Sequence, residues 1–403
     1  MDRIRILKWI TALTALAAPW FAMAEGSVDP CDKNHYILRL KCGTDDFPDI
    51  ITTGIATKTS IGAPLAIAVD AGGNVYFGND QNAVYRVDPG GVLTLVAQPG
   101  GPPPPYDGWW GYANPNALAA LDGAGNVYFV DVVDNRVQRI AIDGTIVTVA
   151  GRSGGGGDND KYEDGEWVVS PQRANDAVVV GARATDVFFA PTAVAIDGAG
   201  NLYVTSERSD LNGLVKIAPD GVVTSFMSFG CGDPATGAVC QASGHIAVDD
   251  TGNAFVPDSW CRVYAISASG GTDIVAGSGD YRMPSSGGTT CVYLGDGGPA
   301  QAAGIGPASA VALGPDGSLY IADPQFNCVH RVGADGIIRM LAGSCPGPWQ
   351  FHGVLLAGPN GVAVDAVGNV YIADTGNERI LKLTPDGVMT TIAGLLPAVP
   401  QQP

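Results

Sequence analysis

Short apolar runs separated by turns of Gly, Asn and Asp-Gly recur along the chain from about residue 64 to residue 394. The last stretch contains four such runs, Val362–Val364, Val370–Ala373, Arg379–Leu383 and Met389–Ala393. The third of them alternates apolar and polar residues, and the second is rich in β-branched and aromatic residues. Runs of this length between tight turns are typical of β-strands rather than helices. The pattern therefore predicts a unit of four short antiparallel strands.

Six copies of this unit follow one another along the chain. Residues 359–394 read PNGVAVDAVGNVYIADTGNERILKLTPDGVMTTIAG, and residues 115–151 read PNALAALDGAGNVYFVDVVDNRVQRIAIDGTIVTVAG. The units begin at Pro64, Pro115, Pro191, Gly244, Pro307 and Pro359. A repeated four-stranded unit indicates radial stacking of sheets around a channel. The sequence thus predicts an all-β, six-bladed β-propeller. Seven blades are the alternative if Ile51–Ala56 belongs to a further partial unit instead of bracing the ring.

The units resemble the NHL-repeat family, whose repeat reads roughly P-x-G-V-A-V-D-x-x-G-N-V-Y-V-A-D, followed by N-R-I, D-G and T-x-A-G. The resemblance covers about residues 64–394, and the segment Gly295–Ala300 is similar to a linker between blades in bacterial members. It implies four-stranded NHL-type blades, but not an activity, because one fold serves many functions. Propeller lyases of the amidating type use several inner-strand histidines, and lactonase-type propellers use a Glu/Asn/Asp set. Neither pattern is visible in this sequence.

The units differ in length mainly in the connections between blades. Equivalent residues at the ends of the inner strands, from Asp70 to Asp365, lie 52, 75, 52, 65 and 51 residues apart. In a four-stranded blade these connections emerge on the same side as the turns between the second and third strands. We call this side the decorated face; its connections are 98–114, 151–190, 230–243, 277–306 and 343–358. Long loops on a rigid scaffold usually carry binding residues, so we expect a ligand there.

The eight cysteines of the chain contain no Cys-x-x-Cys pair. An even number of cysteines in an exported chain indicates disulfides, whereas a zinc ribbon or a thioredoxin-like centre is not indicated. Six of them belong to the decorated face, where each bridge is expected to hold a loop against the rim. The most economical of the 105 connectivities open to eight cysteines is Cys31–Cys42, Cys231–Cys240, Cys261–Cys291 and Cys328–Cys345.

Aromatic residues are concentrated in the same loops. Flat aromatic surfaces suit a sugar ring, a peptide side chain or a protein partner, although they also form small cores beneath long loops. His245 lies at the mouth end of the fourth inner strand, where other units carry Ala or Gly, so its imidazole is expected to face the channel entrance. The candidate ligand-binding residues are Trp109, Trp110, Tyr112, Tyr162, Trp167, His245, Trp260, Trp349 and His352.

Two sets of acidic residues invite a functional interpretation. The first offers oxygen ligands of the kind that calcium takes, but without EF-hand spacing, and a solvated loop is the simpler interpretation. Its members are Asp158, Asp160, Glu163 and Asp164. The second set ends the second strands, and its recurrence in successive blades indicates turn and inter-blade hydrogen bonds rather than catalysis. Its members are Asp80, Asp131, Asp258, Asp323 and Asp374.

Composition and the N-terminus narrow the class of protein further. The formal net charge of −18 argues against binding to nucleic acid or to anionic lipid. Three cations before residue 9, the mainly apolar stretch Trp9–Phe21 and the site Ala22-Met23-Ala24 are features of a cleaved signal peptide, and the stretch is too short to span a bilayer comfortably. We therefore expect a signal peptide at 1–24, a Cys-containing segment at 25–62, the propeller at 63–396 and a tail at 397–403. The protein is expected to be exported without membrane insertion, to the periplasm or beyond the cell.

Two functional hypotheses follow. The first is an exported binding or scaffolding propeller that holds a glycan, a peptide or a protein on its decorated face. The second is a metal-dependent lyase or hydrolase with its site at the channel mouth near His245. The sequence names no catalytic residue and implies no cofactor firmly; a divalent cation such as calcium is the one candidate.

Overall fold

The computed structural model describes residues 53–81, 83–97, 118–131, 135–152, 161–163, 166–168, 180–188, 190–208, 211–229, 242, 244–282, 290–345 and 355–395. Regular structure in these ranges is almost entirely β-strand, and the helical segments are 3-10 turns of three residues each. No helix of the described ranges is long and apolar enough to cross a membrane. The all-β prediction is confirmed.

Four strands form each of six antiparallel sheets, in the order that the repeats predict. Strand β1 (Thr53–Ile55) precedes the first blade. Blade one contains β2 (Pro64–Val69), β3 (Val75–Asn79), β4 (Val84–Val87) and β5 (Val92–Ala97). Blade two contains β6 (Leu118–Leu121), β7 (Val127–Asp131), β8 (Arg136–Ile140) and β9 (Ile146–Ala150). A small hairpin, β10 (Lys161–Glu163) and β11 (Glu166–Val168), lies in the connection that follows.

The remaining blades repeat the arrangement. Blade three contains β12 (Pro191–Ile196), β13 (Leu202–Arg208), β14 (Leu211–Ile217) and β15 (Val223–Ser228). Blade four contains β16 (Ala247–Val248), β17 (Ala254–Pro257), β18 (Val263–Ile266) and β19 (Thr272–Ala276), and a hairpin of β20 (Tyr281–Arg282) and β21 (Thr290–Cys291) follows it. Blade five contains β22 (Ala310–Leu313), β23 (Leu319–Asp323), β24 (Cys328–Val332) and β25 (Ile338–Gly343). Blade six contains β26 (Pro359–Val364), β27 (Val370–Asp374), β28 (Arg379–Leu383) and β29 (Met389–Ala393).

The six sheets close into a ring. Each inner strand contacts the inner strand of the next blade, and β26 of blade six contacts β2 of blade one. One hydrophobic cluster lies between each pair of neighbouring blades, as where Phe77 and Tyr85 of blade one pack with Tyr371 and Ile380 of blade six. Because both faces of each sheet are covered, second strands such as β23 and β27 are buried at every position. The six-bladed prediction is confirmed, and the seven-bladed alternative is wrong.

Small residues permit the crowded packing of the inner strands. A Cβ on Gly361 would lie 2.9 Å from the carbonyl oxygen of Leu65 and 3.1 Å from Ile67 in the neighbouring blade. His245 and Ala310 form a parallel bridge between the inner strands of blades four and five. The inner positions therefore favour Ala or Gly for a steric reason, as the repeat alignment indicated.

Strand β1 is a fifth strand on blade one. It pairs antiparallel with the outer strand β5, with Gly54 opposite Leu93. The connections before blades three and five do the same with their outer strands, because Arg183 bridges Val222 and Pro299 bridges Ile337. The brace expected of Ile51–Ala56 is thus present in its described part, and it recurs at alternate blades. Part of each of those connections consequently lies along the outer edge of a blade.

The turns between the first and second strands are short, and those of blades two, three and six share one side-chain clamp. In blade two, Asp122 accepts hydrogen bonds from the Asn126 amide (2.8 Å), from the Asn126 side chain (2.7 Å) and from the Tyr128 hydroxyl (3.1 Å). These bonds hold the pKa of Asp122 below its usual range against the opposing effect of burial. Asp197 and Asp365 make the same three contacts in their blades. Their recurrence marks them as turn residues rather than catalytic groups.

Candidate functional site

Two disulfides, in adjacent blades, each join the region between the second and third strands to the following connection. Cys261, in the turn between the second and third strands of blade four, is bonded to Cys291 in the following connection, with 6.0 Å between their Cα atoms. Cys328, at the start of the third strand of blade five, is bonded to Cys345 in the next connection, with a Cα separation of 5.5 Å. Both predicted pairings are confirmed, and each holds a loop of the decorated face. The predicted pairs Cys31–Cys42 and Cys231–Cys240 lie outside the described residues.

Trp260 is the candidate aromatic residue whose surroundings the structure describes most fully. Its backbone amide donates a 2.9 Å hydrogen bond to Asp258 Oδ1, and it precedes the bridged Cys261. The carboxyl of Asp258 is buried, which raises its pKa to about 6. The Trp260 side chain is partly exposed, so an aromatic surface is held on a covalently fixed turn of the decorated face.

Tyr293, in the connection after blade four, belongs to a small core beneath that loop. Its ring meets the ring of Phe326 edge-on at 5.3 Å and stacks on His330 at 6.1 Å. Burial, with smaller contributions from nearby aspartates, raises the pKa of Tyr293 to about 12. For this aromatic residue the structure agrees with the core interpretation rather than with ligand contact.

The connection after blade four is also held by a side-chain hydrogen bond that the sequence does not predict. The amide of Gln325 donates a 3.1 Å hydrogen bond to the carbonyl oxygen of Cys291. Gln325 and Phe326 occupy the turn between the second and third strands of blade five, so this turn supports the connection that precedes its own blade. No motif signals such a pair, because the partners lie 34 residues apart.

His245, whose imidazole is expected to face the channel entrance, bridges the inner strand of blade five through its backbone. Its backbone joins blades four and five through bonds to Ser309 (2.9 Å) and Val311 (3.1 Å). The imidazole Nδ1 is enclosed and has no hydrogen-bond partner among the described residues, and burial lowers the pKa of His245 to about 4. Within the described ranges, His245 belongs to no group of three potential metal ligands.

In blades one, five and six, the aspartate that ends the second strand fixes the entry of the connection into the inner strand. Asp374 Oδ1 accepts a 2.8 Å bond from the Ala357 amide, and Asp80 Oδ1 accepts a 3.0 Å bond from the Ala63 amide. Asp374 also forms a 2.7 Å ion pair with Arg379. These contacts agree with the structural role that the repetition indicated.

The other candidate residues are placed only in part or not at all. Tyr162 pairs with Trp167, and Glu163 with Glu166, across the hairpin of β10 and β11, and the description there extends to the backbone alone. The candidates that lie outside the described residues are Trp109, Trp110, Tyr112, Asp158, Asp160, Asp164, Trp349 and His352. The predictions for all of these residues stay predictions.

Known proteins resemble the chain in sequence and in fold. Residues 172–350 match the Teneurin NHL domain model, and residues 356–383 match the NHL repeat model. Teneurin-3 of Danio rerio is 27% identical over 226 residues, which are 51% of this chain and only 8% of that protein. Two nutrient binding proteins described as auxiliary share the fold: one from Bacteroides thetaiotaomicron (TM-score 0.54, 12% identity, 82% of this chain and 70% of that one) and one from Bacteroides ovatus (TM-score 0.52, 14% identity, 85% and 72%).

Fold and repeats together define the class of this protein as a six-bladed β-propeller with one face that carries disulfide-held loops. With the two family matches and the teneurin relative, the chain belongs to the NHL-repeat β-propeller family. The resemblance inferred from the repeated Pro-to-Gly unit is confirmed.

Proposed function

We propose that this chain is an exported binding propeller that holds a glycan, a peptide or a protein on its decorated face. The observation that carries the proposal is that Cys261–Cys291 and Cys328–Cys345, in adjacent blades, each join the end of the turn between the second and third strands to the connection that follows the blade. A binding surface benefits from loops that are ordered before the ligand arrives, and bridges at these places order the loops that they hold. The disulfides also suit an oxidising compartment, as the proposed signal peptide requires.

Trp260 is the described residue that we assign to ligand contact. It follows the buried Asp258 and precedes a bridged cysteine, so its backbone is fixed on both sides. Aromatic side chains held in this way contribute strongly to binding at small entropic cost. Two propellers that share the fold carry the description nutrient binding, which makes ligand capture a natural class of function for this ring.

The proposal is tested by probing the purified chain against arrays of immobilised oligosaccharides, peptides and folded proteins. Trp260→Ala is expected to lower the signal of the best probe at least about tenfold, the effect of a residue worth 1.4 kcal/mol. Ile142→Ala is the matched control, because Ile142 is 83% exposed in a short turn on the opposite side of the ring. Equal losses in both variants, or no specific signal from the parent chain on any array, would contradict the proposal.

A further inference from the structure

A buried cluster of four chemically reactive side chains lies in blade five, away from the channel. His330 Nε2 is 3.5 Å from Cys328 Sγ, 3.9 Å from Cys345 Sγ and 3.3 Å from Asp323 Oδ2. Cys328 and Asp323 are fully buried, His330 is 1% exposed and Cys345 is 8% exposed. Within the described ranges, the two cysteines and the histidine form the only group of three residues whose ligand atoms lie close enough to share a metal ion.

Comparison with the other blades shows that this cluster departs from the repeated pattern. In blades two and six, the aspartate that ends the second strand pairs in register with an arginine, as in Asp131–Arg136 and Asp374–Arg379. In blade five the same register places Cys328 opposite Asp323. The buried carboxylate of Asp323 therefore faces a sulfur and an imidazole in place of the guanidinium found in blades two and six.

The distances around His330 Nε2 match the edges of a tetrahedral zinc site. With ordinary zinc bond lengths, a nitrogen and a sulfur ligand lie about 3.5 Å apart, and a nitrogen and an oxygen ligand about 3.3 Å apart. The sulfurs and the carboxylate oxygen already stand at these distances from Nε2, within 0.4 Å for the longer contact to Cys345 Sγ. The two sulfurs must part from a covalent bond to a separation of about 3.8 Å. They must also approach Asp323, which lies outside the group of three whose ligand atoms are all within 4.8 Å of one another.

We propose that reduction of the Cys328–Cys345 disulfide turns this cluster into a zinc(II) site whose ligands are both thiolates, His330 Nε2 and Asp323 Oδ2. A dithiol reductant delivers two electrons and two protons, the S–S bond breaks, and the reductant leaves as its own disulfide. Zinc then displaces one proton from each thiol. Two thiolates, one carboxylate and a neutral imidazole are a ligand set that zinc accepts in closed structural sites.

The surroundings of the cluster suit a zinc ion that is bound by side chains alone, without water ligands. Tyr293 stacks on the imidazole and Phe326 meets Tyr293 edge-on, so apolar rings cover one side of the cluster. Asp323 is also held in place, because it accepts backbone hydrogen bonds from Gly306 (2.7 Å) and Phe326 (3.0 Å). Cys345 is the more exposed of the two cysteines and hence the sulfur that a reductant reaches first.

The full chain can be tested with cobalt(II) as a spectroscopic probe and zinc(II) as competitor, after reduction with a phosphine, which is oxidised to its oxide and does not compete as a dithiol would. The reduced chain is expected to develop the thiolate-to-cobalt charge-transfer band and the intense visible bands of tetrahedral cobalt, and zinc is expected to abolish both. The oxidised chain is expected to show neither. A spectrum that is identical before and after reduction would overturn the proposal.

Variants assign the bound metal to this cluster and not to the other cysteines. Cys328→Ser with Cys345→Ser is expected to remove one equivalent of cobalt per chain. Cys261→Ser with Cys291→Ser is the matched control, because within the described ranges these cysteines belong to no group of three potential metal ligands, and it is expected to retain the cobalt. Equal binding by these two double variants would overturn the proposal.

His330→Gln is a second test of the proposal, and it leaves both cysteines in place. Glutamine at the equivalent position of blade two already contacts its aspartate, since Gln138 Nε2 lies 3.3 Å from Asp131 Oδ2. The substitution should therefore keep the fold and the disulfide, which circular dichroism and thiol titration check. Zinc affinity is expected to fall at least about 100-fold, because the loss of an outer partner alone costs roughly 10- to 100-fold. Unchanged affinity in His330→Gln would overturn the assignment of the imidazole.

Discussion

The backbone amide of Gly394 donates a 3.0 Å hydrogen bond to the carbonyl oxygen of Ala56. Gly394 follows the last outer strand and Ala56 follows β1, so this bond joins the sixth blade to the segment that braces the first. The same bond, at 2.9 Å, occurs before blade three and before blade five, in the pairs Gly151–Ala184 and Gly277–Ala300. This bond therefore links the blades in three pairs: six with one, two with three, and four with five. The closure of the ring uses the same bond as the other two pairs.

Substitution of Gly394 by alanine is expected to weaken ring closure. Gly394 has φ +95°, and a Cβ there would collide with the backbone of Glu378 and lie 2.8 Å from Arg379 Cα. Left-handed backbone costs a residue with a Cβ about 1–2 kcal/mol, and the collision should add about 1–3 kcal/mol. Urea unfolding followed by circular dichroism measures the loss.

Gly387→Ala is the control that isolates the collision. Gly387 has φ +89°, nearly the same backbone conformation, but no atom lies within 4 Å of the place where its Cβ would stand. Its substitution should cost only the conformational part, about 1–2 kcal/mol. If the two variants unfold at the same urea concentration, the collision at Gly394 makes no measurable contribution to the loss of stability.

The sequence was sufficient for the blades because each blade is a local unit. Turn residues such as Asp122 and Asn126 lie four positions apart and act on each other directly, so their recurrence predicts the hairpins. The pairings Cys261–Cys291 and Cys328–Cys345 were predictable for a similar reason, because each joins a turn to the connection that follows the same blade. The braces before blades three and five are not predictable from the repeats, because they are formed by the connections, which differ in length and sequence from blade to blade.

The candidate site was less predictable because its contacts join distant segments. Tyr293 stacks on His330 across 37 positions, and nothing near either residue in the sequence indicates the pair. The substitution of a repeated Arg by Cys328 was readable in the alignment, but its consequence depends on where Cys345 and Asp323 stand in space. Repeats thus reveal structural residues by recurrence, and exceptions to a repeat need the fold before they can be interpreted.

A buried ion pair and an exposed one should respond very differently to neutralisation. Asp374 is fully buried and accepts bonds from Arg379, Asn377 and Ala357, so Asp374→Asn is expected to cost about 3 kcal/mol or more. Asp335 pairs with Arg339 at 2.9 Å, but about half of each side chain is exposed. Asp335→Asn should change the free energy of unfolding by less than about 0.5 kcal/mol. Urea unfolding at low and high salt tests both, and a large effect of Asp335→Asn would contradict this assignment.

Removal of each disulfide should destabilise the chain according to the length of the loop that it closes. The cysteines are 30 positions apart in Cys261–Cys291 and 17 apart in Cys328–Cys345. Chain entropy predicts losses of about 3–4 kcal/mol, larger by about 0.5 kcal/mol for the longer loop. Serine double variants compared by urea unfolding test this order. A reversed order would show that strain or packing in the folded state outweighs the chain-entropy contribution.

Asp258 and His245 should give stability two opposite dependences on pH. Burial raises the pKa of Asp258 from 3.8 to about 6, so between these values the folded chain holds more protons than the unfolded chain, and stability falls as the pH rises. Burial lowers the pKa of His245 from 6.5 to about 4, so there the folded chain holds fewer protons, and stability falls as the pH drops. Since the two windows nearly coincide, these contributions should largely cancel in the parent chain.

Single variants separate the two contributions. His245→Gln removes the loss on acidification, so its melting temperature relative to that of the parent should rise between pH 6.5 and pH 4. For Asp258→Asn, the melting temperature relative to that of the parent should fall as the pH drops through the same range. The matching change in the free energy of unfolding relative to the parent is on the order of 3 kcal/mol, because a pKa difference of one unit corresponds to about 1.4 kcal/mol. Melting curves of the parent and both variants at pH 4 and pH 7 test this directly. If the melting temperatures of both variants, relative to that of the parent, change in the same direction between pH 7 and pH 4, at least one of these groups does not titrate as its burial requires.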